Sequence, residues 1–412
     1  MLVERGILNE IFHWVPREEI VILTGPRQSG KTSLLRIIEK KLKDKGEQVA
    51  YFNLEDLELL GYLNQSPLNL LKLVHPKENQ KFNVILDEIQ YLQNPTNFLK
   101  HIYDDYREQI KLIVSGSSAF YIDRKFKDSL AGRKKIFYIL PLDFADFLRF
   151  KGNEELLPFA GEMISLEIPG KPSLNPLQQR DAGRLLDEYM LYGGYPKIVL
   201  ENDVSFKQEL LQEILNSYIK KDAIEADVRF QEKFFALLRI LASQTGSLVN
   251  AHELANTIGV SGSAIDNYLY VMRKSFHIRL VEPFYNNARK EITKMPKVYF
   301  FDAGLRNKIV NNFEPIDLRT DKGAIFENMV FKLLVDRFGW DTLKFWRTQN
   351  KNEVDFILAN EKKAVEVKYN FSLFKPGKYS SFLSDYPEFS FHLIFHAGNA
   401  LPLSGRMYSH QV

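Results

Sequence analysis

The residues from Gly25 to Thr32 have the types and spacing of a phosphate-binding loop. They read GPRQSGKT and fit the pattern GxxxxGK[ST]. Glycines at positions 25 and 30 allow backbone geometry that a side chain would block, so N–H groups of the loop can face phosphate oxygens. The expected nucleotide-binding residues are Gly25, Pro26, Arg27, Gln28, Ser29, Gly30, Lys31, Thr32 and Ser33. Lys31 would reach the outer phosphates and Thr32 would bind Mg²⁺. The alternative is an ordinary strand-to-helix turn.

Two acids end the apolar stretch 83–86. Asp87 would hold Mg²⁺ through water, and Glu88 would polarise the attacking water as a general base. Ser115 follows another apolar stretch, 111–114, where a side chain that senses the γ-phosphate would lie. The serines from 115 to 118 are also typical of a helix N-cap, so both interpretations stay open.

Arg133 lies in the basic stretch SLAGRKK, residues 129–135, before a strand expected at 136–140. An arginine here could contact the nucleotide of a neighbouring chain and stabilise the charge of the transition state. The alternative is a solvated basic turn.

A second set of chemically competent residues lies near the C-terminus. Glu327 is an acid within an apolar helix expected at 322–334, and Asp355 belongs to a strand expected at 353–358. The stretch AVEVK, residues 364–368, alternates, which places Glu366 and Lys368 on one face of a strand. Pairing across the short turn would bring Asp355 beside Glu366. Converging carboxylates bind Mg²⁺, and a lysine can position water or stabilise charge. The alternative is an edge hairpin with its polar side chains in solvent.

Residues 231–285 predict a helix-turn-helix followed by a wing. Helices are expected at 231–244, 251–258 and 263–274, with a turn at 259–261 and a strand at 278–281. The second helix of the motif offers a small set of polar residues for DNA: Ser261, Ser263, Asn267, Arg273 and Lys274. It also carries Asp266, and Tyr268 and Tyr270 are expected in the core. Packing between domains is the alternative use of this motif.

The segment from 286 to 297 is basic, with Arg289, Lys290, Lys294 and Lys297 against a single glutamate. We expect it either to contact DNA or to form a solvated surface. The net charge of the whole chain is only +3, so an argument for nucleic-acid binding has to rest on such local patches.

Composition indicates a globular protein with more than one domain. The 412 residues suggest two or three domains, and 45% hydrophobic and 26% charged residues allow each to bury a core. There are no cysteines, and the eight histidines lack a spacing that suits zinc. No apolar stretch approaches the roughly 20 residues of a membrane span, and the N-terminus lacks a signal-peptide pattern. We therefore expect a soluble, cytoplasmic protein with no membrane partner.

Five stretches, in order, resemble the AAA-type P-loop ATPases of bacteria and archaea: TGPRQSGKTSLL, YFNLED, VILDEIQYL, VSGSSAF and LAGRKKIFYILPLDFADFL. The resemblance is closest to the group that carries an uncharacterised C-terminal domain, DUF4143, and YMLYGGYPKIV resembles its helical lid. It implies a Walker A loop at 25–32, a Walker B pair at Asp87 and Glu88, a polar sensor near Ser115 and an arginine candidate at Arg133.

Residues 320–400 resemble the PD-(D/E)xK nuclease superfamily, whose core is a mixed sheet flanked by helices. The resemblance implies that Glu327 is the helix acid, that Asp355 and Glu366 are metal ligands and that Lys368 is the catalytic lysine. Val354 stands where many members have proline.

The predicted fold is a multidomain α/β protein in which a parallel sheet with flanking helices forms a P-loop AAA-type ATPase. The expected domains are the ATPase core at 1–180, a helical lid at 181–230, a winged helix at 231–288 and a PD-(D/E)xK-like α/β domain at 289–412. The expected function is ATP hydrolysis with Mg²⁺, coupled to a DNA-binding domain that acts as a Mg²⁺-dependent nuclease. A nucleotide-dependent switch that only binds nucleic acid or a protein partner, or that changes its homo-oligomeric state, is the alternative. An ATPase that acts on unfolded protein is a third hypothesis.

Overall fold

The architecture is taken from a computed structural model of the chain. It describes residues 3–75, 80–116, 130–158, 160–161, 174–226, 228–285, 295–348, 350–396 and 404–408. The chain forms two compact units, one of residues 1–140 with 274–276 and one of residues 141–273 with 277–412. The four domains expected from the sequence, with their three boundaries, stay a prediction.

The first unit contains a parallel sheet of five strands in the order β2-β3-β4-β1-β5. The strands are β1 (Ile20–Thr24), β2 (Val49–Asn53), β3 (Phe82–Asp87), β4 (Ile110–Gly116) and β5 (Lys134–Tyr138). The helices are α1 (Ile7–Trp14), α2 (Lys31–Asp44), α3 (Leu57–Gln65), α4 (Asn69–Leu73) and α5 (Pro95–Tyr106). This is the parallel α/β architecture expected from the sequence. The strand expected at 136–140 begins two residues earlier.

Alternating side chains of the central strands form a separate core on each face of this sheet. On β1, Ile20 and Ile22 belong to a cluster with Phe98 of α5, whereas Val21 and Leu23 belong to a cluster with Leu34 of α2. Burial on both faces explains why the strands are apolar throughout. It also fixes α2 against the sheet, so the loop between β1 and α2 lies at the carboxyl edge of the strands.

The second unit begins with helices and a pair of antiparallel strands. The helices are α6 (Phe144–Phe150), α7 (Pro176–Tyr192), α8 (Pro196–Leu200), α9 (Val204–Glu213), α10 (Lys220–Glu225), α11 (Gln231–Ser243), α12 (Ala251–Ile258), α13 (Gly262–Lys274) and α14 (Ala303–Val310). A π-helical turn, Ile214–Ile219, joins α9 to α10. Strands β6 (Ile278–Val281) and β7 (Lys297–Phe300) pair antiparallel. The helices and the first hairpin strand expected in residues 231–281 are therefore present.

A mixed sheet of five strands forms the rest of the second unit, in the order β12-β11-β10-β9-β8. Its strands are β8 (Leu343–Arg347), β9 (Glu353–Leu358), β10 (Lys363–Lys368), β11 (Ser390–Phe395) and β12 (Ser404–Tyr408). The long helix α15 (Lys322–Phe338) precedes the sheet, and α16 (Ser380–Asp385) lies between β10 and β11. Because β10 pairs with β9 on one side and β11 on the other, the edge-hairpin alternative for AVEVK is wrong.

Across the residues that the structure describes, no helix is long and apolar enough to cross a bilayer.

Candidate functional site

The loop between β1 and α2 requires glycine at its first position. Gly25 has φ +154°, and a Cβ there would lie 2.1 Å from the carbonyl oxygen of Ile139. Gly30, which caps α2, is left-handed with φ +94°, and Gln28 also has positive φ at +59°. Gly30 supplies no side-chain oxygen to the first N–H groups of α2. The loop and the helix N-terminus therefore present backbone N–H groups that suit an anion.

Lys31 and Arg5 hold the loop in shape. The ammonium of Lys31 donates to the carbonyl oxygens of Gly25 at 3.0 Å and Pro26 at 2.8 Å. The guanidinium of Arg5 is buried and donates from Nη1 to the carbonyl of Ser29 at 3.0 Å. A ligand phosphate would compete with the two carbonyls for the Lys31 ammonium, because all three are oxygen acceptors.

The carboxylate of Asp87 lies at the end of β3 between side chains of both neighbouring strands. Tyr51 of β2 donates to its Oδ2 at 2.6 Å, and Ser115 of β4 donates to its Oδ1. The Ser115 hydroxyl also accepts from the backbone N–H of Glu88 at 3.0 Å. Burial and the Asp87 carboxylate together raise the pKa of Tyr51, which stays a donor. One serine therefore connects both acids.

Glu88 and Ser115 each have a defined backbone setting. Glu88 is left-handed with φ +60°, an uncommon conformation for a residue with a side chain, and its carboxylate accepts from Gln90. Ser115 lies within β4 and does not itself cap a helix. Ser117 and Ser118, the rest of that serine cluster, lie outside the described residues.

Arg133 lies at the opposite edge of the sheet from the loop. Its carbonyl accepts from the N–H of Ile20, the first residue of β1, whereas the loop follows the last residue of that strand. Its guanidinium is paired with Asp104 of α5, with Nε 2.7 Å from Oδ1. Within its own chain, Arg133 is therefore remote from Lys31 and the loop.

The four residues of the second sequence set come together in the second unit. The β9–β10 register places Asp355 opposite Glu366, where the N–H of Val367 donates to Asp355 Oδ2 at 3.0 Å. Lys368 Nζ lies 3.8 Å from Asp355 Oδ2 and donates to Glu366. Lys297 links Asp355 to Glu327 of α15, with 3.3 Å from its Nζ to an oxygen of each. The strand alternation and the short turn predicted that Asp355 would lie beside Glu366, whereas the place of Glu327 was implied only by the resemblance.

Four further residues belong to this cluster and were not expected from the sequence. Lys297 of β7 lies 2.7 Å from Oε1 of Glu353, and Tyr299 donates to Glu327 Oε1 at 2.5 Å. Tyr379 donates to Glu366 Oε1 at 2.7 Å. Period-two spacing could have found three of them, because Lys297 and Tyr299 are two apart on one strand and Glu353 is two residues before Asp355. Tyr379 has no such signal.

Burial dominates the electrostatics of the cluster. It raises the pKa of Glu327 to about 7, although the Lys297 ammonium opposes the shift. Burial, reinforced by repulsion from Asp355, raises the pKa of Glu366 to about 8. Burial disfavours the charge of Lys297, but the surrounding acids, Glu327 first, outweigh it and raise the Lys297 pKa. The ammonium is therefore charged, while protons compete for the two glutamates near neutral pH.

These carboxylates do not offer an open metal site. Asp355 Oδ1 faces Lys297, its Oδ2 accepts from Val367, and Glu366 Oε1 accepts from Tyr379. In the part of the chain that the structure describes, no group of three or more His, Asp or Glu side chains is arranged to hold a metal ion. The residues therefore fit a lysine-neutralised cluster and do not fit a bound divalent ion in this conformation.

Some of the residues expected to contact DNA are exposed, whereas others are buried or lie outside the described residues. Ser261, Ser263, Asn267 and Arg273 are exposed on or beside α13, together with Asp266. Tyr268 is in the core, as expected, but Tyr270 is 41% exposed, so its core assignment is wrong. Lys297 does not belong to a basic surface, because its side chain is 3% exposed among carboxylates. Residues 286–294 lie outside the described residues.

Three parts of the chain match known domain families. Residues 17–148 match a family described as an AAA domain. Residues 183–315 match a domain of unknown function, DUF8612, and residues 322–406 match another, DUF4143. The AAA match covers the loop, both acids, Ser115 and Arg133, and the DUF4143 match covers Glu327, Asp355, Glu366 and Lys368. Lys297 lies in the DUF8612 match.

Relatives that match most of the chain occur in distant organisms. An uncharacterized protein of Methanocaldococcus jannaschii is 28% identical over 353 residues, covering 84% of this chain and 73% of that protein. An uncharacterized protein of Haemophilus influenzae is 25% identical over 384 residues, covering 90% of this chain and 86% of that protein.

Solved structures with some likeness include Caenorhabditis elegans PCH-2, with a TM-score of 0.35 and 14% identity over 65% of this chain and 70% of that one. Another is the replication initiator DnaA bound to AMPPCP and single-stranded DNA, with a TM-score of 0.29 and 17% identity over 66% and 90% of the two chains. Scores of this size do not establish a shared overall fold. The chain is thus similar to an AAA domain in residues 17–148 and to a DUF4143 domain in residues 322–406.

Proposed function

We propose that the first unit binds ATP with Mg²⁺ and hydrolyses it. The observation that carries this proposal is the linked arrangement of Ser115, Asp87 and Glu88 at the carboxyl edge of a sheet that also bears the Gly25–Thr32 loop. Strand β4 lies between β1 and β3, so Ser115 stands between the loop strand and the acid strand. A γ-phosphate bound by the loop would point toward this edge.

Each residue then has a defined task. The N–H groups of the loop and of α2 bind phosphate oxygens, and Lys31 exchanges the carbonyls of Gly25 and Pro26 for the outer phosphates. Thr32 and Asp87 would hold the Mg²⁺ that accompanies the nucleotide and neutralises phosphate charge. Glu88 accepts the proton of the attacking water, and Ser115 fixes its backbone beside Asp87.

Two substitutions test this proposal. Lys31→Ala should weaken ATP binding, measured with a fluorescent ATP analogue, because the loop loses the ammonium that would contact the outer phosphates. Glu88→Gln should leave binding intact and lower phosphate release by about 100-fold or more, the size typical of general-base loss. Glu58→Gln is a matched control, since Glu58 is an exposed acid of α3. If Lys31→Ala and Glu88→Gln both hydrolyse ATP at the wild-type rate, the proposal is contradicted.

We further propose that the second unit binds DNA through α13 and the adjoining hairpin. Support comes from α12, the turn at left-handed Gly259 and α13, which precede β6 and β7 as in a winged helix. Arg273→Ala should weaken binding to duplex DNA and reduce the salt dependence by about one counterion. Arg239→Ala is the control for a general loss of positive charge, since Arg239 is exposed on α11. If Arg273→Ala and Arg239→Ala have equal effects in a fluorescence-anisotropy salt series, the assignment of the DNA-binding surface to α13 is contradicted.

The C-terminal domain has two candidate roles, and one observation favours the second. A Mg²⁺-dependent nuclease would use Asp355, Glu366 and Lys368, with Glu327 as the helix acid. A nucleotide-dependent switch would only bind nucleic acid or a protein partner. The switch is favoured because Lys297, not an open ligand position, lies among the carboxylates. Cleavage of linear, branched and single-stranded DNA that Asp355→Ala abolishes would instead establish the nuclease.

A further inference from the structure

The acidic cluster of the second unit is built around a lysine from outside the DUF4143 match. Lys297 is the first residue of β7, and its side chain is 3% exposed. Its ammonium lies 2.7 Å from Glu353 and 3.3 Å from both Glu327 and Asp355. A buried ammonium is strongly disfavoured unless it is paired, and here it is paired with three carboxylates.

The backbone of β7 is fixed on both edges. Val281 of β6 is the register partner of Lys297 on one edge. On the other edge, the N–H of Gly246 donates to Val298 at 2.8 Å, and Val298 donates to Ser247 at 3.1 Å. A displacement of the Lys297 backbone therefore requires β7 to separate from these partners.

The turn at Gly246 also lies against the acids. Gly246 has φ +79°, and a Cβ there would be 3.2 Å from Glu327 Oε1. The close approach covers that oxygen on the side of the turn that precedes α12. The segment that leads into α12 thus contributes both a hydrogen-bonded partner of strand β7 and part of the cover of the cluster.

We propose that the Lys297 ammonium is the resident cation of this cluster and excludes divalent metal ions from it. An ammonium within 3.3 Å of three carboxylates occupies the centre from which one metal ion would contact the same oxygens. A metal ion among these carboxylates would be repelled by the positive charge of the Lys297 ammonium. Metal binding therefore requires the ammonium to leave the cluster. This inference deepens the switch role proposed above and rests on it for its regulatory meaning. Withdrawal of Lys297 would convert a metal-free domain into a metal-binding one.

Titration with Mn²⁺, followed by electron paramagnetic resonance on the full chain without nucleotide, tests the exclusion. Wild type and Asp355→Asn should give the same isotherm. Lys297→Met keeps most of the length of the side chain without its charge, and it should gain one Mn²⁺ site at least about tenfold tighter than any in wild type. Adding Asp355→Asn to Lys297→Met should remove that site.

Lys332→Met is the matched control. Lys332 is another buried lysine of the second unit, 2.6 Å from both carboxylate oxygens of Asp336. The Lys332→Met substitution should leave the Mn²⁺ binding isotherm of the wild-type chain unchanged. Circular dichroism establishes folding, and Lys297→Gln replaces Lys297→Met if the latter does not fold.

An Asp355-dependent Mn²⁺ site in wild type would overturn the proposal, whether or not the variants fold. A folded Lys297→Met or Lys297→Gln chain without a new site would also overturn it. ATP turnover and DNA anisotropy measured on the same preparations report on the proposed function separately, because neither reads metal at this cluster.

Discussion

Tyr51 donates a hydrogen bond of 2.6 Å to Oδ2 of Asp87 on the neighbouring strand. The ring of Tyr51 in turn lies under the guanidinium of Arg36, 3.3 Å from the ring centre, and Arg36 belongs to α2. The acid of β3 is therefore connected through one tyrosine to the helix that begins at Lys31. This connection fixes the Asp87 carboxylate before any nucleotide is bound.

Tyr51→Phe should lower the kcat for ATP hydrolysis by about tenfold, equivalent to about 1.5 kcal/mol for a lost hydrogen bond to a charged group. ATP affinity should change little, because the side chain of Tyr51 contacts Asp87 and Arg36, which lie outside the Gly25–Thr32 loop. Tyr103→Phe, a partly buried tyrosine near α5's end, serves as control. Steady-state phosphate release together with nucleotide binding checks the prediction, and a change in affinity alone would count against it.

Gly25→Ala should abolish tight ATP binding, with at least about a tenfold loss of affinity, or about 1.4 kcal/mol. The added Cβ would meet the Ile139 carbonyl at 2.1 Å and force the loop away from the strand end. Gly46→Ala isolates the effect of backbone conformation, because Gly46 has φ +75° and a Cβ added there would meet no heavy atom within 4 Å. Isothermal titration should show a large loss only for Gly25→Ala.

Arg133→Ala should remove ATP turnover without weakening ATP binding if Arg133 contacts a neighbour's nucleotide, and wild-type turnover per chain should rise with protein concentration. Asp104→Asn frees the arginine from its partner and should retain turnover. If the pair is only structural, both variants will lower thermal stability alike and leave turnover unchanged. Activity measured over a concentration series, with sedimentation velocity, separates the two results.

The stability of the second unit should fall as pH rises from about 6 to about 8. The folded-state pKa of Glu366 is raised to about 8 by burial and by Asp355, and that of Glu327 is raised to about 7 by burial. The unfolded chain has already lost these protons, since an ordinary glutamate titrates near about 4.3. The folded state therefore binds more protons in this window, and the free energy of unfolding decreases with pH.

Each such proton contributes a slope of at most about 1.4 kcal/mol per pH unit. Glu366→Gln should flatten the dependence, whereas Glu361→Gln, an exposed residue of the β9–β10 turn, should not. Denaturant unfolding followed by tryptophan fluorescence, to which Trp340 and Trp346 contribute from the second unit and Trp14 from the first, measures the free energy of unfolding. A free energy of unfolding that rises across this window would contradict the assignment.

The spacing of residues along the chain was enough to predict two parts of the candidate sites: those whose residues lie close in sequence and those that follow from the direction of the strands. The loop, α2 and the acids after β3 follow from parallel strands that end at one edge, and Asp355 meets Glu366 because a short turn sets the β9–β10 register. These relations depend only on the direction of the strands and on the length of one turn. Sequence patterns were therefore enough to predict them.

Contacts between distant elements could not be predicted in this way. Lys297 and Asp355 are 58 positions apart, and the basic residues before Lys297 made it look like part of a solvated surface. Only the packing of β7 against α15 and the mixed sheet gives its ammonium three carboxylate neighbours. Tyr51 was missed for a similar reason, since the neighbour of β3 is not evident from the order of strands along the chain.

The buried guanidinium of Arg5 holds two points of backbone at once, with Nη1 3.0 Å from the Ser29 carbonyl and Nη2 3.1 Å from that of Leu140. Leu140 is where the chain leaves the first unit, and Pro141 begins the second. The nucleotide loop is thus tied to the exit of the polypeptide itself. A rearrangement of Ser29 on ligand binding would therefore be transmitted through the Arg5 guanidinium to the backbone of Leu140, the last residue of the 1–140 segment of the first unit.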